Sequence, residues 1–369
     1  VTLGKSIAGV LTFQLPPGKR QTGKRHFGAE DAMAVGARWL PFACTFWVVG
    51  STVVPALSDD RPVLSLPLVC EPHKTCFIQN YVDVDPGPGL RDYACGSATY
   101  DQHSGVDFRI LSAKRAESSV PVVAAADGTV KALRDGVEDK FFKLGKGADL
   151  TGRECGNGVI LDHGSGWETQ YCHMRRGSIR VTKGQAIKRG DRLGDVGFSG
   201  MASFAHVHLT VRHDGKIVDP FLPESSDGAC VKDPRSRSLW EPSAAAAFPY
   251  RNGELLAIGF AGAPPSADAL EVDDRDILQL SPKSDIFVLY GRFINVLKGD
   301  RIHFEASGPQ GEVFNETTAP LTRNMATYVP FMGKRRGEAK WAAGHYDGRV
   351  QLLRDEAVIA TALAAYDLK

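Results

Sequence analysis

From about Gln102 onward the chain is cut into short apolar runs by glycine turns: "SGVDFRI", "VPVVAAADGTVKAL", "GNGVILDHGSG", "WETQYCHM", "SIRVTKGQAIKRGDRLGDVGFSG" and "HVHLTVRHDGKIVDPF". Helices need roughly ten or more periodic residues, whereas runs of this length, rich in valine and isoleucine, suit strands. Asp-Gly at Asp127-Gly128 and at Asp214-Gly215 are hairpin signals. The pattern predicts an all-β chain. Its first part, residues 101–229, is expected to form an antiparallel, partly closed sheet with the polar stretch 134–154 inserted as a surface loop.

A second set of runs follows: "ELLAIGFAG", "DIFVLYGRFINVL", "DRIHFEASGPQGEVF", "ATYVPFMG" and "AGHYDGRVQLLRDEAVIATAL". Lys-Gly-Asp, Gly-Pro-Gln-Gly and Tyr-Asp-Gly recur between them as turn signals, at the spacing of a small β-sandwich of immunoglobulin-like kind over 247–369. Between the two parts, "CVKDPRSRSLWEPSAAAAFP" reads as a linker, residues 230–246. With 39 glycines and 21 prolines the chain suits a turn-rich β protein better than a helical bundle. Its 369 residues, 43% hydrophobic, leave room for a core in each part. A formal net charge of +1 gives no global field that would argue for nucleic acid as a partner.

Residues 33–58, "MAVGARWLPFACTFWVVGSTVVPALS", stand apart. Arg38 precedes an apolar run that ends in Ala56-Leu57-Ser58, the pattern of a secretory signal cut after Ser58. The alternative is an uncleaved membrane anchor. The run is near the lower limit for a spanning helix and is bracketed by Pro41 and Pro55, so cleavage is preferred and no stable membrane insertion is expected after it. A signal would start at Met33, which makes 1–32 an over-called start or a disordered stretch.

Export makes the remaining cysteines legible. Cys70, Cys76, Cys95, Cys155, Cys172 and Cys230 form an even set, as disulfide-bonded exported proteins have. "CEPHKTC" offers a short Cys70–Cys76 loop. Cys155 and Cys172 flank the hairpin "GNGVILDHGSGWETQYCH" at nearly matched distances from its turn, which leaves Cys95–Cys230 by elimination. A structural zinc site is a weak rival, because the sequence has no CxxC pair. Residues 59–100 then form a disulfide-tied lead-in.

The chemistry-bearing residues gather in the first β part. "HVH" places His206 and His208 on one face of a strand, because side chains there repeat every two residues. "HSGVD" places His103 and Asp107 on one side of an extended segment, with Gly105 relieving the backbone between them. His173 closes the run "YCH", and a glycine-rich approach, "GDVGFSGMASFAHVH", leads to the last pair. Each taken alone has an ordinary structural reading. Together they change the balance, since buried imidazoles without partners lose solvation. A divalent ion with a carboxylate resolves that loss, and catalytic zinc takes three protein ligands of these types. No His-Glu-x-x-His is present, so a zincin helix is excluded.

The order His-x-Gly-x-Asp, then Gly-Asn-x-Val with Tyr-x-His, then His-x-His resembles the lysostaphin/LytM-type zinc endopeptidases over about residues 100–221. The resemblance implies that His103, Asp107 and His208 bind one Zn2+ ion, and that His173 and His206 are the catalytic pair. It implies an antiparallel β-groove and hydrolysis of an amide bond in the peptide part of peptidoglycan. The signal predicts export, membrane-anchored if it stays uncleaved, and a disulfide-rich exported form suits a Gram-negative periplasm. "SFAHVH" lacks the Gly-Pro usual before the His-x-His, "YCH" has an unusual cysteine, and the 134–154 insert bears on cleavage specificity.

Two other functions stay open at this stage. One is a non-enzymatic activator of other cell-wall hydrolases, which would make such hydrolases its partners; this chain keeps all five positions. The other is a peptidase acting on proteins. Within the lead-in, Asn80 and His73 are the residues able to block a metal site.

Overall fold

The computed structural model describes residues 6–12, 60–142, 150–224, 230, 238–275 and 278–369. The expected signal, 33–58, and most of 1–32 lie outside these residues. Ser6–Thr12, inside the expected over-called or disordered start, is a strand, β1. No helix of the described residues is long and apolar enough to cross a membrane.

The first assembly uses β2 (Cys76–Asn80), β3 (Val106–Ile110), β4 (Pro121–Val123), β5 (Gly128–Arg134), β6 (Asn157–Gly164), β7 (Trp167–Met174), β8 (Ala186–Ile187), β9 (Arg192–Asp195), β10 (His206–His213) and β11 (Lys216–Val218). An eight-stranded sheet runs β2-β3-β10-β7-β6-β5-β8, with β11 on β10; β4 and β9 make a separate pair. The pairings are antiparallel. One face carries the core: Val106, Phe108, Tyr171, Val207 and Leu209 are buried there. The other face carries the polar residues described below.

Asp214-Gly215 is the expected hairpin turn, with both residues at positive φ, as a two-residue type I′ turn needs. Asp127-Gly128 is not. β4 pairs with β9 and β5 with β6 and β8, so this dipeptide carries the chain from the small sheet into the large one. Asp127 is engaged instead by Lys188 and the Arg189 amide.

The lead-in is built into the sheet. It supplies β2 at one edge, and Tyr81 and Tyr93 to the core. The three disulfides are Cys70–Cys76, Cys95–Cys230 and Cys155–Cys172. Part of the expected linker is packed structure as well. Pro starts helix α2 (Pro242–Ala247; α1 is Ala113–Glu117), where four alanines favour helix, and Trp240, Ala244 and Phe248 are buried in the first core.

The second assembly comprises β12 (Glu254–Ala261), α3 (Ala267–Val272), β13 (Ile286–Val296), β14 (Arg301–Gly308), β15 (Gly311–Thr317), β16 (Met325–Arg335), β17 (Gly344–Arg354) and β18 (Ala357–Leu368). Two four-stranded sheets, β1-β16-β13-β12 and β15-β14-β17-β18, enclose one core that includes Phe287, Phe293, Phe304, Tyr328 and Val350. Lys-Gly-Asp and Gly-Pro-Gln-Gly are turns, as expected. Tyr346-Asp347-Gly348 lies inside β17. There Gly348 makes room for packing: a Cβ would come within 2.7 Å of the Phe260 ring. The described residues of both assemblies lie in one compact unit.

Candidate metal centre

β10 is flanked by β3 and β7, and their register builds the site. His208 lies opposite Asp107 on one side and Cys172 on the other; His206 lies opposite Arg109. Directly opposed residues share a face. Asp107, Arg109, His206 and His208 are therefore on the polar face, while Phe108, Val207 and Leu209 go to the core.

His103 precedes β3 and is 3% exposed. Gly105, between it and Asp107, is required by close approach, because a Cβ there would lie 2.5 Å from Nε2 of His208 and 2.6 Å from the Leu209 carbonyl.

His173 reaches the site against the strand pattern. Cys172 opposes His208, so strict alternation would send His173 toward the core. Its φ of 61° breaks the alternation. Its ring centroid lies 4.6 Å from that of His206 and 5.9 Å from that of His208. Such a backbone costs a non-glycine residue about 1–3 kcal/mol and is kept where its surroundings hold it. Here the His173 amide donates to the Cys155 carbonyl and its ring Nδ1 bonds to the Ser199 carbonyl, both at 2.8 Å.

A hydrogen bond to a backbone carbonyl makes the bonded ring nitrogen the donor. His103 Nδ1–H donates to the Tyr81 carbonyl at 2.6 Å, which turns Nε2 toward the site. His208 Nε2 bonds to the Thr210 hydroxyl at 3.0 Å, which turns Nδ1 toward the site. These two nitrogens are 3.1 Å apart. Asp107 oxygens lie 3.2 Å from the first and 2.8 Å from the second. Two imidazole nitrogens and a carboxylate thus converge in a buried place, where a divalent cation could take the place of ring protons. Ligand atoms about 3.3 Å apart are what tetrahedral zinc with bonds of about 2.0–2.1 Å requires. The donor set fits that ion. Among the described residues, His103, Asp107 and His208 form the group whose ligand atoms all lie within 4.8 Å of one another.

His173 and His206 stand beside this trio with a different wiring. Nδ1–H of His206 donates to the Phe204 carbonyl at 2.9 Å, and Nδ1–H of His173 to Ser199. Both Nε2 atoms are thus the ones left to face the site. His206 Nε2 is 3.4 Å from Asp107.

Burial, then His206 and His208, push the His173 pKa well below the ordinary value, so its imidazole is neutral. Burial also lowers His208, against the pull of Asp107. Burial opposes charge on His103, but Asp107 outweighs it and raises the pKa. Burial would raise Asp107; His103 and His206 hold it well below the usual carboxylate range.

All five sequence-selected residues come together. Asn80 joins them, its amide donating to Asp107 at 2.7 Å from the neighbouring strand. His73 does not; it bonds to Glu254 and the Ala247 carbonyl. Sequence reasoning missed the supporting layer: Tyr81, Thr210, Ser199 and the fully buried Arg109. Arg109 sits 4.9 Å from the Phe204 ring and bonds to Gln79 and to Glu271 of α3. A charged residue at a strand position opposite a histidine was the one available signal.

Residues 101–220 match Peptidase family M23. Relatives include an uncharacterized metalloprotease of Haemophilus influenzae, 31% identical over 34% of this chain and 22% of that protein. Another is the peptidoglycan DD-endopeptidase ShyA of Vibrio cholerae, 28% identical over 32% of this chain and 22% of that protein. The chain thus spans about a fifth of the length of these curated relatives. A zinc containing peptidase from Vibrio cholerae, 23% identical, has a TM-score of 0.25 over 40% of this chain and 39% of that one.

Proposed function

We propose that this chain is an exported zinc endopeptidase that hydrolyses amide bonds in the stem peptides or cross-links of peptidoglycan. The observation that carries the reading is the pair of Nδ1-anchored imidazoles, His173 and His206, beside the convergent His103–Asp107–His208 donors. The M23 domain and a relative named for peptidoglycan endopeptidase activity support the substrate.

His103 Nε2, Asp107 and His208 Nδ1 would hold one zinc ion. When bound, that ion supplies Lewis acidity toward a carbonyl and lowers the pKa of water toward ~7. The chain's own residues do the rest. The Tyr81 carbonyl would fix the tautomer of His103, and the Thr210 hydroxyl would orient the His208 ring. His173, held neutral, is suited to take a proton at Nε2 from the attacking water and to return it to the leaving amine. His206, when protonated, can donate from Nε2 to the carbonyl oxygen as charge builds there.

Three disulfides in one chain suit an oxidising compartment, which supports export and a periplasmic location. The signal assigned to 33–58 belongs to this reading.

The test is to incubate zinc-loaded protein with isolated peptidoglycan and to read the released fragments by mass spectrometry, with His206→Ala as control. Cross-linked dimers should fall to monomers, or stem peptides shorten, with the intact protein alone. Zinc-loaded protein that leaves every fragment unchanged would overturn the proposal.

A further inference from the structure

A pocket of about 90 Å³, room for a small side chain and not for a whole ligand, adjoins the five-residue centre. Three separate parts of the chain line it. The insert before residue 143 contributes Phe141 and Phe142, and the approach to β10 contributes Phe204. The second assembly contributes Ala267 and Val272 from α3 and Thr327 from β16.

The pocket is continuous with the site through two of its lining residues. The Phe204 ring lies 4.4 Å from the His206 ring, and Asn80 donates to Asp107. Its wall from the second assembly is fixed in place. Glu271 of α3 pairs with Arg109 of β3 at 2.8 Å and with Arg292 of β13 at 2.7 Å. Gln79 of β2 donates to the Ala326 carbonyl at 2.7 Å and receives Asn295 at its own carbonyl.

The polar groups deepest in this lining are already engaged. Glu271 serves two guanidiniums, and both ends of the Gln79 amide are bonded. Asp268, the other carboxylate in the lining, is exposed to solvent. What the interior offers a ligand is therefore mostly contact with three phenylalanine rings and small aliphatic groups, with the uncharged hydroxyls of Ser203 and Thr327 beside them. Such a surface selects for uncharged, apolar groups and disfavours a charge, which would lose hydration without a partner.

We infer that the second assembly forms one wall of a substrate subsite, which seats an uncharged apolar side chain of the peptide near the bond to be cut. This rests on the proposed endopeptidase reading and assigns the C-terminal β assembly a part in substrate choice. The subsite contains none of the proton-moving groups, so its contacts act on substrate binding and their loss raises KM.

The test uses the zinc-loaded full chain and a purified cross-linked muropeptide dimer in steady-state hydrolysis, comparing Val272→Asp and Phe142→Ala with wild type. Val272 is 51% exposed, so its replacement leaves the core intact. Leu363→Ser, on a solvent-facing position of β18, is the control. KM should rise at least fivefold in both pocket variants, with kcat within twofold, zinc content unchanged and the control like wild type. Wild type that cleaves the dimer while both variants keep its KM would overturn the subsite alone. Wild type that leaves the dimer intact would overturn the endopeptidase reading and the subsite with it.

Discussion

Replacing Glu271 by alanine should loosen the contact between the two assemblies more than any other single change. Arg109 and Arg292 are both fully buried, and one carboxylate oxygen faces both, at 2.8 and 2.7 Å. Burial pulls the Arg109 pKa down to about 10, which reports the expense of keeping that charge out of water. Burial would raise Glu271, but the two guanidiniums hold its carboxyl below its ordinary range. Removing the shared anion leaves two buried cations without it, and breaking a buried pair typically destabilises by about 3–5 kcal/mol. That is a large part of the roughly 5–15 kcal/mol total of a typical domain. Urea unfolding at pH 7, followed by tryptophan fluorescence, measures it. Glu271→Gln should fall between wild type and alanine, since it keeps shape and an acceptor. The triple change Arg109→Met, Glu271→Leu, Arg292→Met should come within about 2 kcal/mol of wild type, because no charge is then stranded. A loss under about 1 kcal/mol for Glu271→Ala would refute the reasoning.

His208→Ala should lose zinc and activity together, whereas His206→Ala should lose activity and keep its zinc; metal analysis of both variants checks the split, and equal zinc loss contradicts it. Gly105→Ala drives a methyl group against the His208 ring and the Leu209 carbonyl; zinc affinity should fall at least tenfold, a loss of the size seen when groups supporting a ligand are disturbed, as competition with a chelator would report. Asp219 is buried and its pKa is pushed up to about 7 from an ordinary 3.8. A raised carboxyl pKa means the folded state binds the extra proton, so this stabilisation is full below about pH 4 and is lost as pH rises through 7. At about 1.4 kcal/mol per unit, the loss is on the order of 4 kcal/mol. Denaturation from pH 4 to 8 should show it in wild type relative to Asp219→Asn, and parallel profiles would contradict it.

The fold class and the donor set were legible because both depend on short-range pattern. A period of two puts His206 with His208, and the four-residue step from His103 to Asp107 crosses one glycine. The disulfide pairing was legible for a similar reason: two bridges were local or flanked one hairpin. His173 was different. Its place depends on a left-handed backbone that strand alternation argues against, so family resemblance, not spacing, pointed to it. Long-range choices were hidden. Nothing at Asp127-Gly128 says that β4 will pair with β9, and Gly348 looks like a turn residue until Phe260 presses on it. The Arg109–Glu271–Arg292 group joins residues far apart in sequence, and a linker composition concealed Trp240 and Phe248, which the first core absorbs.

The Cys95–Cys230 bridge has a consequence for survival among proteases. It closes a covalent ring 135 residues in span, and every residue of the centre, from His103 to His208, lies inside it. One cut at a surface turn within the ring does not part the molecule. It produces two fragments that stay joined through the bridge, with two new ends at the cut. Release of a fragment requires a second cut or a reductant. A protein exposed to proteases would thereby keep its site assembled through the first nick.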